Sequence, residues 1–369
     1  MVKNLIVGAG FAGAALANIL ANNNEEVLVI DKKEHVAGNS YDYRDKNGIM
    51  IHKYGSHIFH TNNEKVWEFV NRFGGFNTYM HEVVGIIDGI EAHIPFNFNT
   101  LYQVFPQTMA QRIEEKLLNT FKYNTKVPIL EFKKQDDEDL RFLADYVYEK
   151  IFLHYTAKQW GKNPDEIDGA VTARVPVYLS KDNRYFQDKY QGIPINGYTS
   201  LVENMLKHPN IKVKLNTDYK KVKESADRIF YTGSIDEFFD YKYGMLPYRS
   251  VHFKFEEYNR EFYQSHACIN YPNNYDFTRI HEYKHYLKDK SNRTVIAKEY
   301  SEDFELGKNE RYYPIANDEN LALYNRYLEE AKKYTNVFFL GRLGDYKYYN
   351  MDQAIARAID LAVEIGLIK

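Results

Sequence analysis

The sequence lacks the features that define several classes of protein. It has one cysteine, Cys268, so an internal disulfide and a cysteine-based metal cluster are excluded. Its formal net charge is −3, and Lys and Arg are spread along the chain, so no basic field for nucleic acid is expected. No apolar run approaches the roughly 18 residues that cross a bilayer, so stable membrane insertion is not expected. Because the first predicted strand begins by Asn4, we expect no signal peptide and a cytoplasmic location.

The composition is that of a globular protein with an unusual number of tyrosines. Hydrophobic residues make up 44% and charged residues 27% of the chain. A chain of 369 residues is longer than one core comfortably fills, which predicts two or three domains. There are 33 tyrosines, and a tyrosine ring with its hydroxyl suits sugar and base recognition. Most of them are nevertheless expected to be ordinary surface residues.

A dinucleotide-binding fingerprint lies at the start of the chain. The apolar run Leu5–Val7 leads into Gly8-Ala9-Gly10-Phe11-Ala12-Gly13, then a helical stretch, then a second strand that ends at Asp31. Gly8 permits the tight turn, Gly10 lets a pyrophosphate approach, and Gly13 allows the helix to pack on the strands. Asp31 follows Gly13 by 18 residues, where it can bind a ribose hydroxyl. Strand, helix, strand and acid together predict an adenine dinucleotide site.

The order of the predicted elements indicates an α/β fold with a discontinuous first domain. The pattern predicts a Rossmann-like dinucleotide-binding domain from residues 1–80, 205–240 and 335–369. Two domains are predicted as insertions, one rich in helices at 98–165 and one rich in strands at 81–97, 166–204 and 241–334. A hairpin is predicted at Gly85–Pro95, with Asp88-Gly89 at its turn.

Two further patterns limit the chemistry. The sequence has one GxGxxG, so a second nicotinamide site of the usual kind is not expected. His57 and His60 are three residues apart, but no third ligand accompanies them, so no metal site is predicted.

A series of aromatic and basic segments resembles one flavoenzyme family, the UDP-galactopyranose mutases. The segments, in order, are His52–Asn62, Pro95–Thr100, Tyr155–Gly161, Tyr185–Tyr198, Tyr231–Gly233, Tyr248–Ser250, Thr278–Ile280, Lys298–Tyr300, Tyr312–Pro314 and Gly341–Asp352. They extend over essentially the whole chain. Their order and spacing, rather than any single segment, carry the resemblance.

The resemblance implies a Rossmann-like FAD-binding domain, an inserted helical domain and an antiparallel β-sheet domain that binds substrate. It also implies a flavin-dependent isomerase that interconverts UDP-galactopyranose and UDP-galactofuranose for cell-surface polysaccharide synthesis. Reduced FAD would attack the anomeric carbon through N5, displace UDP and form a covalent sugar adduct that re-closes in the other ring form. No net oxidation would occur, which agrees with the single dinucleotide fingerprint. An external reductant such as NAD(P)H would be needed to activate the flavin. The expected partners are a UDP-sugar and a second copy of the chain in a homodimer.

The resemblance also implies roles for particular residues. Arg174, in a segment similar to the family's mobile loop, and Arg279 would grip the diphosphate, and His60 would lie beside the flavin and the sugar. The remaining substrate residues would be Phe152, Tyr155, Thr156, Trp160, Tyr185, Asn270, Glu299, Tyr313, Tyr348, Tyr349 and His81, with Tyr155 or Phe152 stacked on the base. The cofactor residues would be Gly8, Gly10, Phe11, Ala12, Gly13, Asp31, Lys32, Gly38, Asn39, Gly55, His57, Ile58, Gly233, Arg249, Arg342, Tyr349, Met351 and Asp352.

One departure from the family pattern leaves the sugar open. After Phe76-Asn77, where a small amide near the sugar is expected, the chain has Met80-His81. The same reaction on UDP-N-acetylgalactosamine is therefore an alternative. Two other functions share this fold: an amine-oxidase-type flavin oxidoreductase, and a non-catalytic binding protein of the Rab GDP-dissociation-inhibitor kind.

Overall fold

The computed structural model describes residues 2–161, 176–222 and 225–368. Its strands are β1 (Val2–Val7), β2 (Val27–Ile30), β3 (Asp42–Arg44), β4 (Met50–His52), β5 (Phe59–Thr61), β6 (Val83–Ile87), β7 (Ile90–Ile94), β8 (Lys126–Pro128), β9 (Pro176–Tyr178), β10 (Tyr190–Gly192), β11 (Ile211–Lys214), β12 (Ala226–Tyr231), β13 (Tyr248–Tyr258), β14 (Cys268–Asn270), β15 (Arg279–Glu282), β16 (Thr294–Asp303), β17 (Tyr313–Pro314) and β18 (Val337–Phe339).

The helices alternate with these strands at both ends of the chain and cluster in its first half. They are α1 (Phe11–Asn22), α2 (Glu64–Asn71), α3 (Phe98–Val104), α4 (Gln107–Thr120), α5 (Ile129–Lys133), α6 (Glu138–Val147), α7 (His154–Trp160), α8 (Gly197–Leu206), α9 (Ile235–Phe238), α10 (Lys284–Leu287), α11 (Asp318–Ala331), α12 (Gly341–Gly344) and α13 (Met351–Glu364). A π-helical turn, Tyr148–Leu153, joins α6 to α7, and short 3₁₀ turns occur at Gly38–Ser40 and Tyr219–Lys221. Among the described residues, no helix is both long and apolar enough to cross a membrane.

A parallel sheet forms the dinucleotide-binding half of the molecule. Its strand order is β11-β2-β1-β12-β18, so segments from three separate parts of the sequence meet in one sheet. The β2 run Val27–Ile30 is fully buried, as expected for a parallel strand with both faces covered. Helices α1, α8 and α13 share one core on this sheet. The predicted domain boundary at residue 205 therefore falls inside α8, a helix that packs with the dinucleotide-binding core.

The second sheet brings the first third of the chain against the last. Its order is β17-β13-β16-β15-β14-β6-β7, with antiparallel neighbours except for the parallel pair β14–β6. The predicted hairpin is β6–β7, and its turn residues Asp88 and Gly89 have φ values of 49° and 84°. These left-handed values are those that an Asp-Gly turn requires.

A helical layer packs over one end of this second sheet. Helices α3 to α6 share a core with the hairpin, formed by residues such as Leu101, Ile113, Leu140 and Ile94. Helix α3 begins with a capping box in which Asn97 and Thr100 exchange hydrogen bonds. The parallel sheet, the antiparallel sheet and the helical layer confirm the predicted fold class.

Candidate active site

The turn between β1 and α1 has the geometry that a dinucleotide site needs. Gly8 has φ +109°, and a Cβ at this position would lie 1.9 Å from Thr232 Oγ1. A Cβ on Gly13 would lie 2.0 Å from the Gly8 carbonyl oxygen. Both positions therefore require glycine. The turn aims the N-terminal N–H groups of α1 into the space beyond the strand ends, where a phosphate binds favourably.

A cavity of about 550 Å³ lies at the carboxyl ends of β1, β2 and β12. Its lining includes most of the predicted cofactor residues: Gly8, Gly10, Phe11, Ala12, Gly13, Asp31, Lys32, Gly38, Asn39, His57, Gly233, Arg342, Tyr349 and Met351. This is the position at which doubly wound sheets bind their ligands. Sequence reasoning missed other lining residues, among them Lys33, Thr217, Thr232, Glu237 and Arg311. Arg311 stands next to the matched Tyr312–Pro314 segment, which was the one signal for it.

Asp31 holds the glycine-rich turn in place. Its carboxylate accepts hydrogen bonds from the backbone N–H of Ala9 (2.8 Å) and of Lys33 (2.9 Å). The side chain also lines the cavity. Its predicted bond to a ribose hydroxyl remains a prediction.

The residues around the cavity fit an adenine dinucleotide. A Cβ on Gly38 would lie 3.4 Å from Gly10 Cα, so two glycines leave an open cradle beside the α1 N-terminus. The Arg342 guanidinium lines the same cavity and donates to the carbonyls of Tyr349 (2.9 Å) and Tyr312 (3.3 Å). Asp352 Oδ1, in the first turn of α13, is buried, and no donor from the described residues reaches it. Asp352 does not line the cavity itself but follows Met351, which does, and an acceptor of this kind fits the hydroxyl of a ligand that reaches it.

Four predicted cofactor residues, Gly55, Ile58, Arg249 and Asp352, are not among those that line this cavity. Arg249 is buried and donates through Nε to the Gln159 carbonyl (3.0 Å) and through Nη2 to Ser301 Oγ (3.2 Å). It also pairs with Asp303. Arg249 therefore fixes the C-terminal end of α7, and its direct contact with the cofactor remains a prediction.

A second cluster, rich in tyrosine, surrounds Arg279 on the antiparallel sheet. Arg279 pairs in register with Asn270 on β14 and with Glu299 on β16. Its Nε donates to Glu299 Oε1 at 2.9 Å. Burial raises the pKa of Tyr155, of Tyr185 and of Tyr313, and the positive charge of Arg279 opposes that rise in all three. The predicted substrate residues thus share one electrostatic environment.

The tyrosine cluster and the cavity meet at Arg342. The rings of Tyr313 and Tyr348 stack with centroids 5.5 Å apart. The Arg342 guanidinium lies 5.5 Å from the Tyr348 ring centroid. Because Arg342 also lines the dinucleotide cavity, a ligand on the tyrosine cluster would lie next to a bound cofactor.

Glu299 is held as a buried carboxylate by two basic side chains. Arg279 binds one of its oxygens, and His281 Nε2 lies 3.0 Å from the other. Burial alone would raise the pKa of Glu299, but Arg279 and His281 bring that pKa down to about 2. The other ring nitrogen of His281, Nδ1, is 2.8 Å from Ser56 Oγ. Sequence reasoning predicted Glu299 and Arg279 but missed His281 and Ser56.

The predicted histidines fall into two environments. His60 stacks on Phe186 with centroids 3.6 Å apart, and its Nδ1 lies 3.0 Å from Asp188 Oδ2. His57 and His81 are neutral at physiological pH, because burial lowers the pKa of each to about 3. His81 is 4% exposed, and its Nδ1 is 3.0 Å from the Tyr79 hydroxyl oxygen. His81 therefore does not point to solvent.

The helical residues predicted to bind the base differ in burial. Phe152 is 3% exposed in the π-helical turn and stacks on Tyr148. Thr156 is also buried, whereas Tyr155 is half-buried beside Arg279. Trp160 ends α7 and is followed by Gly161 in the left-handed conformation. Of the two alternatives for the base stack, Tyr155 is the more exposed side chain, and the stack itself remains a prediction. Arg174 lies outside the described residues.

Comparison with known proteins identifies the family. Residues 150–348 match the model of the UDP-galactopyranose mutase family, and residues 6–73 match that of the NAD(P)-binding Rossmann-like domain. A probable UDP-galactopyranose mutase of Klebsiella pneumoniae is 38% identical over 98% of this chain and 94% of its own length. A dTDP-fucopyranose mutase of Escherichia coli is 36% identical over 98% of both chains. A crystal structure of reduced UDP-galactopyranose mutase superposes with a TM-score of 0.72 at 16% identity, covering 100% of this chain and 96% of the other.

These matches define a mutase-type isomerase with a Rossmann-like dinucleotide-binding domain. The chain belongs to the UDP-galactopyranose mutase family. This confirms the family predicted from the sequence, in preference to the oxidoreductase and the non-catalytic alternatives.

Proposed function

We propose that the protein interconverts UDP-galactopyranose and UDP-galactofuranose, with FAD as its cofactor. The observation that carries the proposal is the junction at Arg342, where the Arg279 and tyrosine cluster meets the dinucleotide cavity. A diphosphate on Arg279 would leave the attached sugar close to a flavin in that cavity. Bound and reduced, FAD supplies the nucleophile that takes the place of UDP on the sugar.

The side chains of the cluster bind and orient the substrate. Arg279, held by Glu299, binds the diphosphate and stabilises the charge that develops on the leaving UDP. Tyr185, Tyr313 and Tyr348 complete the diphosphate site, and Tyr155 stacks on the base. Arg174 is proposed as the second arginine on the diphosphate. His60, with its ring fixed by Phe186 and Asp188, borders the sugar.

A second nucleotide-sugar is supported by a specific observation. The Escherichia coli relative, aligned over nearly the full length of both chains, is a dTDP-fucopyranose mutase. dTDP-fucose differs from UDP-galactose in both the nucleotide and the sugar, so the two substrates can be distinguished by assay. UDP-N-acetylgalactosamine remains the third candidate, because His81 lies beside Tyr185 and Phe186.

The test is a direct comparison of the three pyranose substrates. Reduced holoenzyme is incubated separately with UDP-galactose, UDP-N-acetylgalactosamine and dTDP-fucose, and the furanose products are separated by chromatography. We expect the highest specificity constant for UDP-galactose. A higher specificity constant for dTDP-fucose would transfer the assignment to that substrate, and no furanose product from any of the three would contradict the proposal.

The physiological setting is also proposed from the family. A reduced nicotinamide such as NAD(P)H would reduce the flavin from time to time rather than once per turnover. A homodimer in the cytoplasm is the assembly and location that we propose. Light scattering of the purified holoenzyme tests the homodimer.

A further inference from the structure

Four side chains form a hydrogen-bonded network between the proposed diphosphate site and the cofactor loop, which is residues 53–58 between β4 and β5. Ser56 Oγ lies 2.8 Å from His281 Nδ1, and His281 Nε2 lies 3.0 Å from Glu299 Oε2. Arg279 Nε donates to Glu299 Oε1 at 2.9 Å. At the other end, Ser56 precedes His57, which lines the dinucleotide cavity. The network therefore links the dinucleotide cavity to the Arg279 cluster.

The net charge of this network depends on the protonation of His281. Arg279 and Glu299 form an ion pair whose net charge is zero. His281 is 2% exposed and Glu299 is 4% exposed, so water screens their interaction poorly. If His281 carries a proton on both nitrogens, its charge compensates that of Glu299. The cluster then keeps one net positive charge, on the guanidinium that faces the substrate.

The surroundings of His281 favour the doubly protonated form. Burial alone would lower the pKa of His281, but Cys268 and Glu299 raise it above its usual value. Glu299 must accept the proton on Nε2, because its own pKa is about 2. The Ser56 hydroxyl can accept the proton on Nδ1. The other titratable or charged groups near His281 are His52, His81, Tyr283 and Arg279.

We propose that His281 is a positioning residue of the diphosphate site. As an imidazolium it binds the Glu299 carboxylate, leaves the charge of Arg279 uncompensated toward the diphosphate, and ties this pair to the cofactor loop through Ser56. This role rests on the function proposed above. It gives the substrate affinity a dependence on pH that Arg279 and Glu299 alone would not produce.

The first experiment measures UDP affinity by titration calorimetry on oxidised holoenzyme between about pH 6 and pH 9, where histidine titrates and Glu299 does not. The wild type should bind UDP more weakly as the pH rises through the pKa of His281, because the compensating charge is lost. His281→Gln should bind UDP about tenfold more weakly near neutrality, as expected for one lost charge interaction, and should lack that fall. UDP's own titration is common to both proteins and cancels in the comparison.

A matched control is available at the surface. His252 Nδ1 lies 3.1 Å from Glu302 Oε2, and the His252 side chain is 55% exposed. His252→Gln should leave UDP affinity and its pH profile unchanged. If His281→Gln bound UDP like the wild type at every pH, the proposed role would be wrong.

Two further variants separate a charge role from a purely structural one. In His281→Gln/Glu299→Gln the Arg279 charge is again uncompensated, so UDP affinity should recover relative to His281→Gln; a further loss would overturn the proposal. Ser56→Ala removes the acceptor of the His281 Nδ1 proton and should move the pH-dependent fall in UDP affinity to lower pH. This variant also tests the role of His281 if His281→Gln fails to retain FAD. An unchanged profile in Ser56→Ala would overturn the proposal. Absence of UDP binding by the wild type would instead contradict the proposed function itself.

Discussion

Arg279 is the side chain on which the proposed chemistry depends most. Its guanidinium is held through Nε by a buried carboxylate, and its charge acts on the nearby Tyr155 and Tyr185. Arg279 is partly exposed, whereas the Glu299 carboxylate that it pairs with is buried. Because this pair fixes the guanidinium, Arg279 is pre-organised for the diphosphate that we propose it binds.

Replacement of this arginine should affect turnover far more than cofactor retention. A charge-assisted hydrogen bond is worth about 1.5–3 kcal/mol, and more where charge develops in the transition state. Arg279→Ala should therefore lower kcat/KM by at least about tenfold, with FAD still bound by absorbance. Arg112→Ala, which removes an exposed pair with Asp139, is the control. Near-normal turnover by Arg279→Ala would remove Arg279 from the diphosphate site.

His81 is the residue at which we expect the choice of sugar to be adjusted. It is buried, neutral and close to Tyr185 and Phe186. One altered side chain in a pocket shifts preference by about 1–3 kcal/mol. We expect measurable turnover of UDP-N-acetylgalactosamine, and His81→Asn should change its specificity constant relative to that of UDP-galactose. Failure of both proteins to use the N-acetyl sugar would show that His81 does not set specificity.

The site residues that the sequence predicted best are those in segments that resemble the family in both residue type and spacing. Arg279, Glu299 and the tyrosines were predicted from the family segments, and the structure brings them together. His281 was missed although it follows Arg279 by two residues on β15, so that both side chains face Glu299. The alternation Arg279-Ile280-His281 was the available signal. Which side of the strand mattered could not be known until its partner strand was placed.

At the scale of elements, the turn that follows β1 is the most constrained feature. Gly13 lies in α1 with an ordinary helical backbone, where alanine would normally be preferred. The reason for glycine is therefore the close approach to the Gly8 carbonyl, 2.0 Å from where a Cβ would lie.

Gly13→Ala should displace α1 from β1 and weaken cofactor binding. Overpacking of this kind costs about 1–3 kcal/mol, so we expect a lower melting temperature and a lower ratio of bound flavin to protein. At Gly75 the nearest atom to an added Cβ is 3.5 Å away, so Gly75→Ala serves as the control. Full flavin occupancy and an unchanged melting temperature in Gly13→Ala would refute this packing argument.

Some elements were predictable from local pattern and others were not. The β6–β7 hairpin and the strands β11 and β12 follow from alternation, apolar runs and turn residues. The apolar run Val337–Leu340 is typical of a buried strand, but β18 is half-buried because it lies at the edge of the sheet. The π-helical turn at Tyr148–Leu153 has no local sequence signature, since its geometry depends on packing.

At the scale of the whole molecule, the site exists because distant segments meet. Strand β6 pairs with β14, nearly 200 residues further along the chain, and this parallel pairing brings His81 toward the Arg279 strand. Composition and periodicity could predict the separate layers. Their junction at Arg342 and Tyr348 depends on side-chain packing between segments, which a single sequence does not encode locally.

We propose, above all, that the flavin must be reduced for turnover but is not consumed by it. The most direct measurement follows anaerobic turnover of UDP-galactose by holoenzyme reduced once with dithionite, with furanose product and flavin absorbance recorded together. We expect many furanose molecules per reduced flavin, no net flavin oxidation, and almost no product from the oxidised enzyme. One reducing equivalent consumed for each product, or equal activity of the oxidised enzyme, would contradict it.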